Sequence, residues 1–235
     1  MINKVIPIIA LSLLPLAAPA KAAVLQRSQP TAFGSGEPIE DSTASLTRLT
    51  DAIEISFETQ SLPAGTHTLW WILFGQPEFC TDGCGTDDLS NEAVEASSLF
   101  GTGIIVGEDG VGHFEARLEV GELPQGEDQV LRGDGLKDPF GTEVHALTRW
   151  HGPASDDPDL LEKQISTFNG GCATPEEPDL FPCANLQATV FPATSEPEAV
   201  PEPSSILGFL ALVTVGAGSA LKHGIVNFNN CRERL

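Results

Sequence analysis

Ala52-Ile53-Glu54-Ile55-Ser56-Phe57-Glu58 decides the fold class. From Ile53 onward every second side chain is apolar, so Ile53, Ile55 and Phe57 share one face while two glutamates and a serine share the other. That period of two belongs to an antiparallel strand with one face buried and one in water. Leu62-Pro63-Ala64-Gly65 then supplies turn residues, and residues 66–74 run back. Within that return, Trp70-Trp71-Ile72-Leu73-Phe74 is apolar on both faces, which predicts a central strand. Adjacent strand residues point to opposite faces, so the two tryptophans cannot form one stacking platform for a sugar, and core packing is expected for them.

The same grammar continues along the chain. Residues 93–106 read as a strand, Gly107-Glu108-Asp109-Gly110 as a hairpin turn, and 113–120 as the strand paired with it. Residues 142–151 and 186–191 supply the last strands. Helical periodicity is scarce, with one or two turns expected over 159–165. The expectation is all-β: six to eight strands forming a single antiparallel β-sandwich over residues 24–192.

Composition bounds the partners. The 235 residues hold 12 Lys+Arg against 33 Asp+Glu, and between positions 24 and 199 the balance is 7 basic to 31 acidic, a net charge of −24. Such a surface repels phosphate backbones and excludes nucleic acid as a partner. It suits solubility outside the cell, divalent cations or basic partners. Tyrosine is absent, so aromatic packing rests on 12 Phe and 3 Trp.

Of five cysteines, Cys231 lies apart near the C-terminus, and Cys80, Cys84, Cys172 and Cys183 fall in the β-rich region. Four cysteines allow three pairings. Local loop closure favours Cys80–Cys84 and Cys172–Cys183, while the crossed pairings, which would staple the middle of the domain to its end, stay open. The C-x3-C and C-x10-C spacings are not those of a zinc ribbon, so disulfides are expected over zinc.

Chemistry is otherwise sparsely signposted. Asp82, Asp87 and Asp88 flank the first cysteine pair, and calcium takes six to eight oxygens from such Asp/Gly loops, which makes this trio the candidate metal site. No EF-hand spacing accompanies it, and Asp and Gly favour turns on conformational grounds alone. Other acidic loops carry Glu108 and Asp109, Asp134, and Asp156, Asp157 and Asp159. The histidines of this region are His67, His113, His145 and His151, and no G-x-S-x-G or H-E-x-x-H motif frames them. His145 and His151 share strand parity, but six extended residues part them by roughly 20 Å.

The two ends of the chain carry the clearest signals. Residues 1–4 hold one lysine, 5–16 form an apolar stretch, and Ala20-Lys21-Ala22 fits the A-x-A pattern of signal-peptidase cleavage, expected after Ala22 or Ala23. Near the other end stand Val200-Pro201-Glu202-Pro203-Ser204-Ser205, an uncharged apolar run to residue 221, and Lys222. This order resembles the PEP-CTERM sorting signal of exported bacterial proteins. The resemblance covers about residues 199–222 and implies a membrane-embedded exosortase-type protease as processing partner. The chain departs from that pattern by continuing a dozen residues past the basic flank. At 18 residues, 204–221 approaches the length needed to span a bilayer, and Lys222, Arg232 and Arg234 against Glu233 favour a cytoplasmic tail. Residues 66–74 with Cys80 and Cys84, and the stretch Gln164–Cys172, also resemble a family of exported bacterial β-domains, with no activity implied.

The organisation expected is therefore a signal peptide (1–23), an acidic disulfide-bonded β-domain (24–192), a Pro/Glu-rich stalk with the PEP motif Val200, Pro201, Glu202 and Pro203 (193–203), a transmembrane helix (204–222) and a cytoplasmic tail (223–235). The protein is expected to be exported, then anchored in the cytoplasmic membrane or released to the cell surface or extracellular matrix. A non-enzymatic adhesive or structural role is the leading expectation, with extracellular polysaccharide as a partner and no cofactor beyond calcium. The alternative is a calcium-dependent carbohydrate-binding module or a secreted hydrolase.

Overall fold

The computed structural model describes residues 23–197. The expected signal peptide (1–23, all but its last residue), the expected sorting motif, the expected transmembrane helix (204–222) and the expected tail (223–235) lie outside the described residues. Among the described residues ten strands run in chain order: β1 (Val24–Ser28), β2 (Thr31–Ala32), β3 (Thr43–Arg48), β4 (Ala52–Thr59), β5 (Gly65–Phe74), β6 (Ala96–Val106), β7 (Gly112–Glu119), β8 (Val130–Arg132), β9 (Glu143–Trp150) and β10 (Ala184–Phe191). One α-helix, α1 (Pro158–Ser166), lies between β9 and β10. Asp157 caps it by accepting from the backbone N–H groups of Asp159 and Leu160, and Pro158 opens its first turn. Among the described residues no helix is long and apolar enough to cross a membrane.

The strands form two antiparallel sheets. One has the order β1-β3-β4-β7, the other β2-β10-β9-β5-β6-β8. Both contribute to one apolar core, in which Leu46, Ile53, Ile55, Phe57 and Phe114 of the first sheet meet Leu69, Trp71, Leu73, Leu99 and Val144 of the second. This face-to-face packing fits a β-sandwich.

Two turns do something other than the sequence reading predicts. The turn residues 62–65 are expected to run the chain back beside β4, and 107–110 to pair β7 with β6. Instead β4 pairs with β3 and β7, and β5 with β6 and β9, so both connections cross from one sheet to the other. The 107–110 turn is still closed, by the Gly110 N–H donating to the Gly107 carbonyl, but it bends the chain over the core. The two crossings lean on each other through the Leu62 N–H and the Gly110 carbonyl, 3.1 Å apart. Apolar alternation fixes which face of a strand is buried. It is silent on which strand lies alongside.

Arg48 locks one end of the molecule. Its guanidinium is fully buried and donates to Gln26 Oε1 and to the carbonyls of Pro139, Thr142, Phe191 and Pro192. Burial pushes it down to about 10, with the negative charges of Asp138 and Glu143 opposing. Val24 pairs with Arg48, and Gln26 Nε2 donates to the Pro192 carbonyl at 2.9 Å. The chain thus enters its first strand and leaves its last at the same end.

Candidate functional site

Strand parity builds the most chemically loaded place in the molecule on the outer face of the six-stranded sheet. On β5, Leu69, Trp71 and Leu73 face the core, so Thr68 and Trp70 face outward. On β9, Val144 and Ala146 face the core, so Leu147 and Arg149 face outward, with His151 just beyond the strand end on the same side. This outer face is not left to solvent. The helix α1 and the loop that follows it lie over it, and Trp70, Thr68 and His151 are all buried. Close approach of α1 depends on Gly103 of β6, where a Cβ would stand 1.8 Å from the Ile165 carbonyl oxygen.

The loop is held down by three devices. Gln164, projecting from α1, donates to the carbonyls of His151 and Pro153 and accepts from the Ser155 N–H. Arg149 donates to the Phe168 carbonyl at 2.7 Å and to Asn185 Oδ1 at 2.8 Å, with its guanidinium 4.1 Å over the Phe168 ring. Phe168 in turn meets Trp70 edge to face, centroids 5.0 Å apart. Third, Cys172 and Cys183 are joined in a disulfide, Cα atoms 5.2 Å apart, closing the loop back onto the start of β10. Beside it Gly152, at φ +90°, leaves room for Phe181, whose Cβ would otherwise meet the new side chain at 2.5 Å.

His151 stands at the centre. Nε2 lies 2.9 Å from Thr68 Oγ1, which also accepts from the Trp70 indole N–H at 2.8 Å. Nδ1 lies 3.0 Å from the Gly170 carbonyl, 3.5 Å from Cys183 Sγ and 3.8 Å from Cys172 Sγ. Since a carbonyl only accepts, Nδ1 carries the proton here and Nε2 accepts from Thr68. Burial drives the imidazole down to about 4. The Gly170 carbonyl opposes that shift, and the positive charges of Arg149 and His67 add to it. Arg149 itself is lowered by burial, its Nη2 lies 4.0 Å from Cys172 Sγ, and the partners given above are all neutral.

The other candidate residues lie elsewhere. Cys80 and Cys84 form a second disulfide in the β5–β6 connection, Cα atoms 4.9 Å apart. Inside this loop Asp88 is buried, and its two carboxylate oxygens accept from the N–H groups of Thr81 and Gly85 at 3.0 and 2.9 Å. Asp82 and Asp87 point into solvent. Asp88 is therefore engaged in fastening the cystine loop, and the trio does not converge as a set of metal ligands. Among the described residues the one group of three such side chains whose ligand atoms all lie within 4.8 Å is His151, Cys172 and Cys183. His145 pairs with Glu143 at 2.7 Å, His113 sits exposed between Glu58 and Glu115, and His67 is buried with Nε2 on the Pro63 carbonyl. An open cleft of about 560 Å³ beside β8 is lined by Glu95, Arg132, Asp134 and Lys137, whose charges are spent partly on exposed ion pairs.

Sequence reasoning placed His151 at a strand end but did not join it to Cys172 and Cys183. The available signal was parity: Arg149 and His151 alternate on the face opposite Val144 and Ala146. What parity could not show is that a helix and loop return to cover that face. Comparison of the chain with family models, with curated proteins and with solved structures returned no match.

Proposed function

We propose that the chain is an exported, surface-anchored or matrix protein whose acidic β-domain is displayed on a Pro/Glu-rich stalk and does adhesive or structural work, with extracellular polysaccharide as the class of partner. The apolar segment 204–222 acts as its membrane anchor and sorting helix, read by an exosortase-type protease. The observation that carries this reading is the clamp at the exit of β10. Arg48 and Gln26 grip the carbonyls of Phe191 and Pro192, and the Thr194 N–H donates to the Phe140 carbonyl at 2.8 Å. The point where a tether would pull is thereby tied to both sheets. The fully buried guanidinium is held by five acceptors, so detaching this strand would strand several buried polar groups at once.

Two disulfides closing local loops agree with an oxidising destination, and the strongly acidic surface agrees with solubility there. The test is the intact mass of the protein recovered from surface and membrane fractions. A species starting at Ala23 or Val24 and ending near Pro203 is expected, and binding to extracellular polysaccharide is the next assay. A species that keeps its first 22 residues, or that still ends at Leu235 in every fraction, would refute the sorting route.

A further inference from the structure

His151 Nδ1 stands 3.5 Å from Cys183 Sγ and 3.8 Å from Cys172 Sγ, a placement that a purely structural cystine does not require. In a tetrahedral site with Zn–S near 2.3 Å and Zn–N near 2.1 Å, a nitrogen and a sulfur ligand are separated by about 3.6 Å. Both N···S distances already lie close to that figure. Only the two sulfurs are out of place, and they need to part to about 3.8 Å, the edge of the same tetrahedron. We propose that Cys172, Cys183 and His151 are a redox-gated site for a thiophilic divalent cation such as zinc, closed as a cystine when oxidised and open to the metal when reduced.

The chemistry balances with a dithiol as reductant. Thiol–disulfide exchange breaks the Cys172–Cys183 bond, the dithiol becomes a disulfide, and its two hydrogens pass to the protein, one to each cysteine sulfur, giving two thiols. The cation then displaces both thiol protons to solvent and takes Nδ1 as its third ligand. For this the imidazole proton moves from Nδ1 to Nε2, where Thr68 Oγ1 can accept it. That oxygen has two lone pairs, one for the Trp70 N–H and one for the histidine. Thr68 and Trp70 thus fix the ring from behind, as an outer shell must. Arg149, 4.0 Å from Cys172 Sγ, offsets part of the negative charge of the two thiolates. Water fills the fourth position. Cystine and metal are alternative closures of one loop, so the 167–183 segment stays anchored over the sheet in either state.

The test uses the full-length protein, reduced with dithiothreitol, freed of it without oxygen and titrated with cobalt(II) as a spectroscopic stand-in for zinc. One equivalent is expected to bind with a thiolate-to-cobalt charge-transfer band that zinc abolishes. The band should survive Cys80→Ser/Cys84→Ser and Cys231→Ser, and vanish in Cys172→Ser/Cys183→Ser. His151→Gln should weaken binding by more than about tenfold, and Thr68→Val, which leaves all three ligands in place, by about tenfold. The proposal is overturned if the reduced protein shows no such band, if the band persists without Cys172 and Cys183, if neither His151→Gln nor Thr68→Val changes affinity, or if reduction of this pair unfolds the domain by tryptophan fluorescence.

Discussion

Strand β5 divides two interiors that are built by different rules. On one side Leu69, Trp71 and Leu73 join a core drawn from both sheets whose members are aliphatic and aromatic, and the Trp71 indole N–H finds no partner there. On the other side Thr68 and Trp70 lie under a helix and loop among Arg149, His151, Gln164 and a cystine, and nearly every polar atom is answered. Close packing alone defines the first interior. The second is held by a hydrogen-bond network in which each member fixes the next, so its stability answers to pH, redox state and ligands as well as to volume. A dry core serves to hold a fold. A wet-chemistry layer held equally tightly against the same strand is where reactivity can be built without disturbing that fold.

The sharpest way to break the comparison is to cut volume from each side. Phe57, fully buried and edge-to-face with Phe114 at 6.0 Å, should cost about 3–5 kcal/mol when changed to alanine. Phe100→Ala, on the half-buried rim of the outer layer beside Trp70, should cost less than half as much. Urea midpoints at constant slope would measure both. Equal losses would mean that the outer layer is a second dry core and that its polar network contributes little.

A second experiment separates the layers by acid. In the oxidised, metal-free protein His151 is buried and neutral, pushed down to about 4 from 6.5, so the unfolded chain binds more protons throughout that window. Its contribution is therefore complete above about pH 6.5 and is lost as pH falls toward 4. The loss amounts to about 3 kcal/mol at about 1.4 kcal/mol per pH unit. His67, also lowered by burial, adds in the same direction. Denaturation at pH 7.5 and pH 4.5 should show this loss in the wild type and a clearly smaller one in His151→Gln. An unchanged pH dependence in that variant would show that the imidazole is not the titrating group.

How much of this was legible beforehand follows the same division. Ile53, Ile55 and Phe57 announced the buried face of β4 by period alone, and the doubly apolar run at 70–74 announced a strand covered on both sides. Pairing was not legible, because alternation carries no information about neighbours, and of the two crossings between sheets one reads as a turn that runs the chain back and the other as a hairpin. The short β2 and β8, of two and three residues, offer too few positions for any period to register. For the outer layer, Arg149, His151, Cys172 and Cys183 were each visible as residues. Their convergence depends on α1 turning back over the sheet, a long-range event that Gly103 and Gln164 permit and that no local pattern encodes.

The smallest expected effect concerns the third polar cluster, the Cys80–Cys84 loop, which tests whether acidic residues near a cystine imply a ligand. Asp88 uses both oxygens on backbone N–H groups of its own loop, whereas Asp82 and Asp87 are exposed. Asp88→Asn keeps the shape but weakens two charge-assisted bonds, so about 1–2 kcal/mol should be lost, with faster hydrogen exchange confined to residues 81–91. Asp82→Asn and Asp87→Asn should each stay within about 0.5 kcal/mol of wild type, as exposed substitutions do. If calcium raises the melting temperature and that rise disappears in Asp82→Asn or Asp87→Asn, the loop closes around an ion and Asp88 is a ligand as well as a fastener. If the melting temperature ignores calcium, the cluster is a latch, and the chemistry of this domain is concentrated under α1, where an imidazole faces two sulfurs.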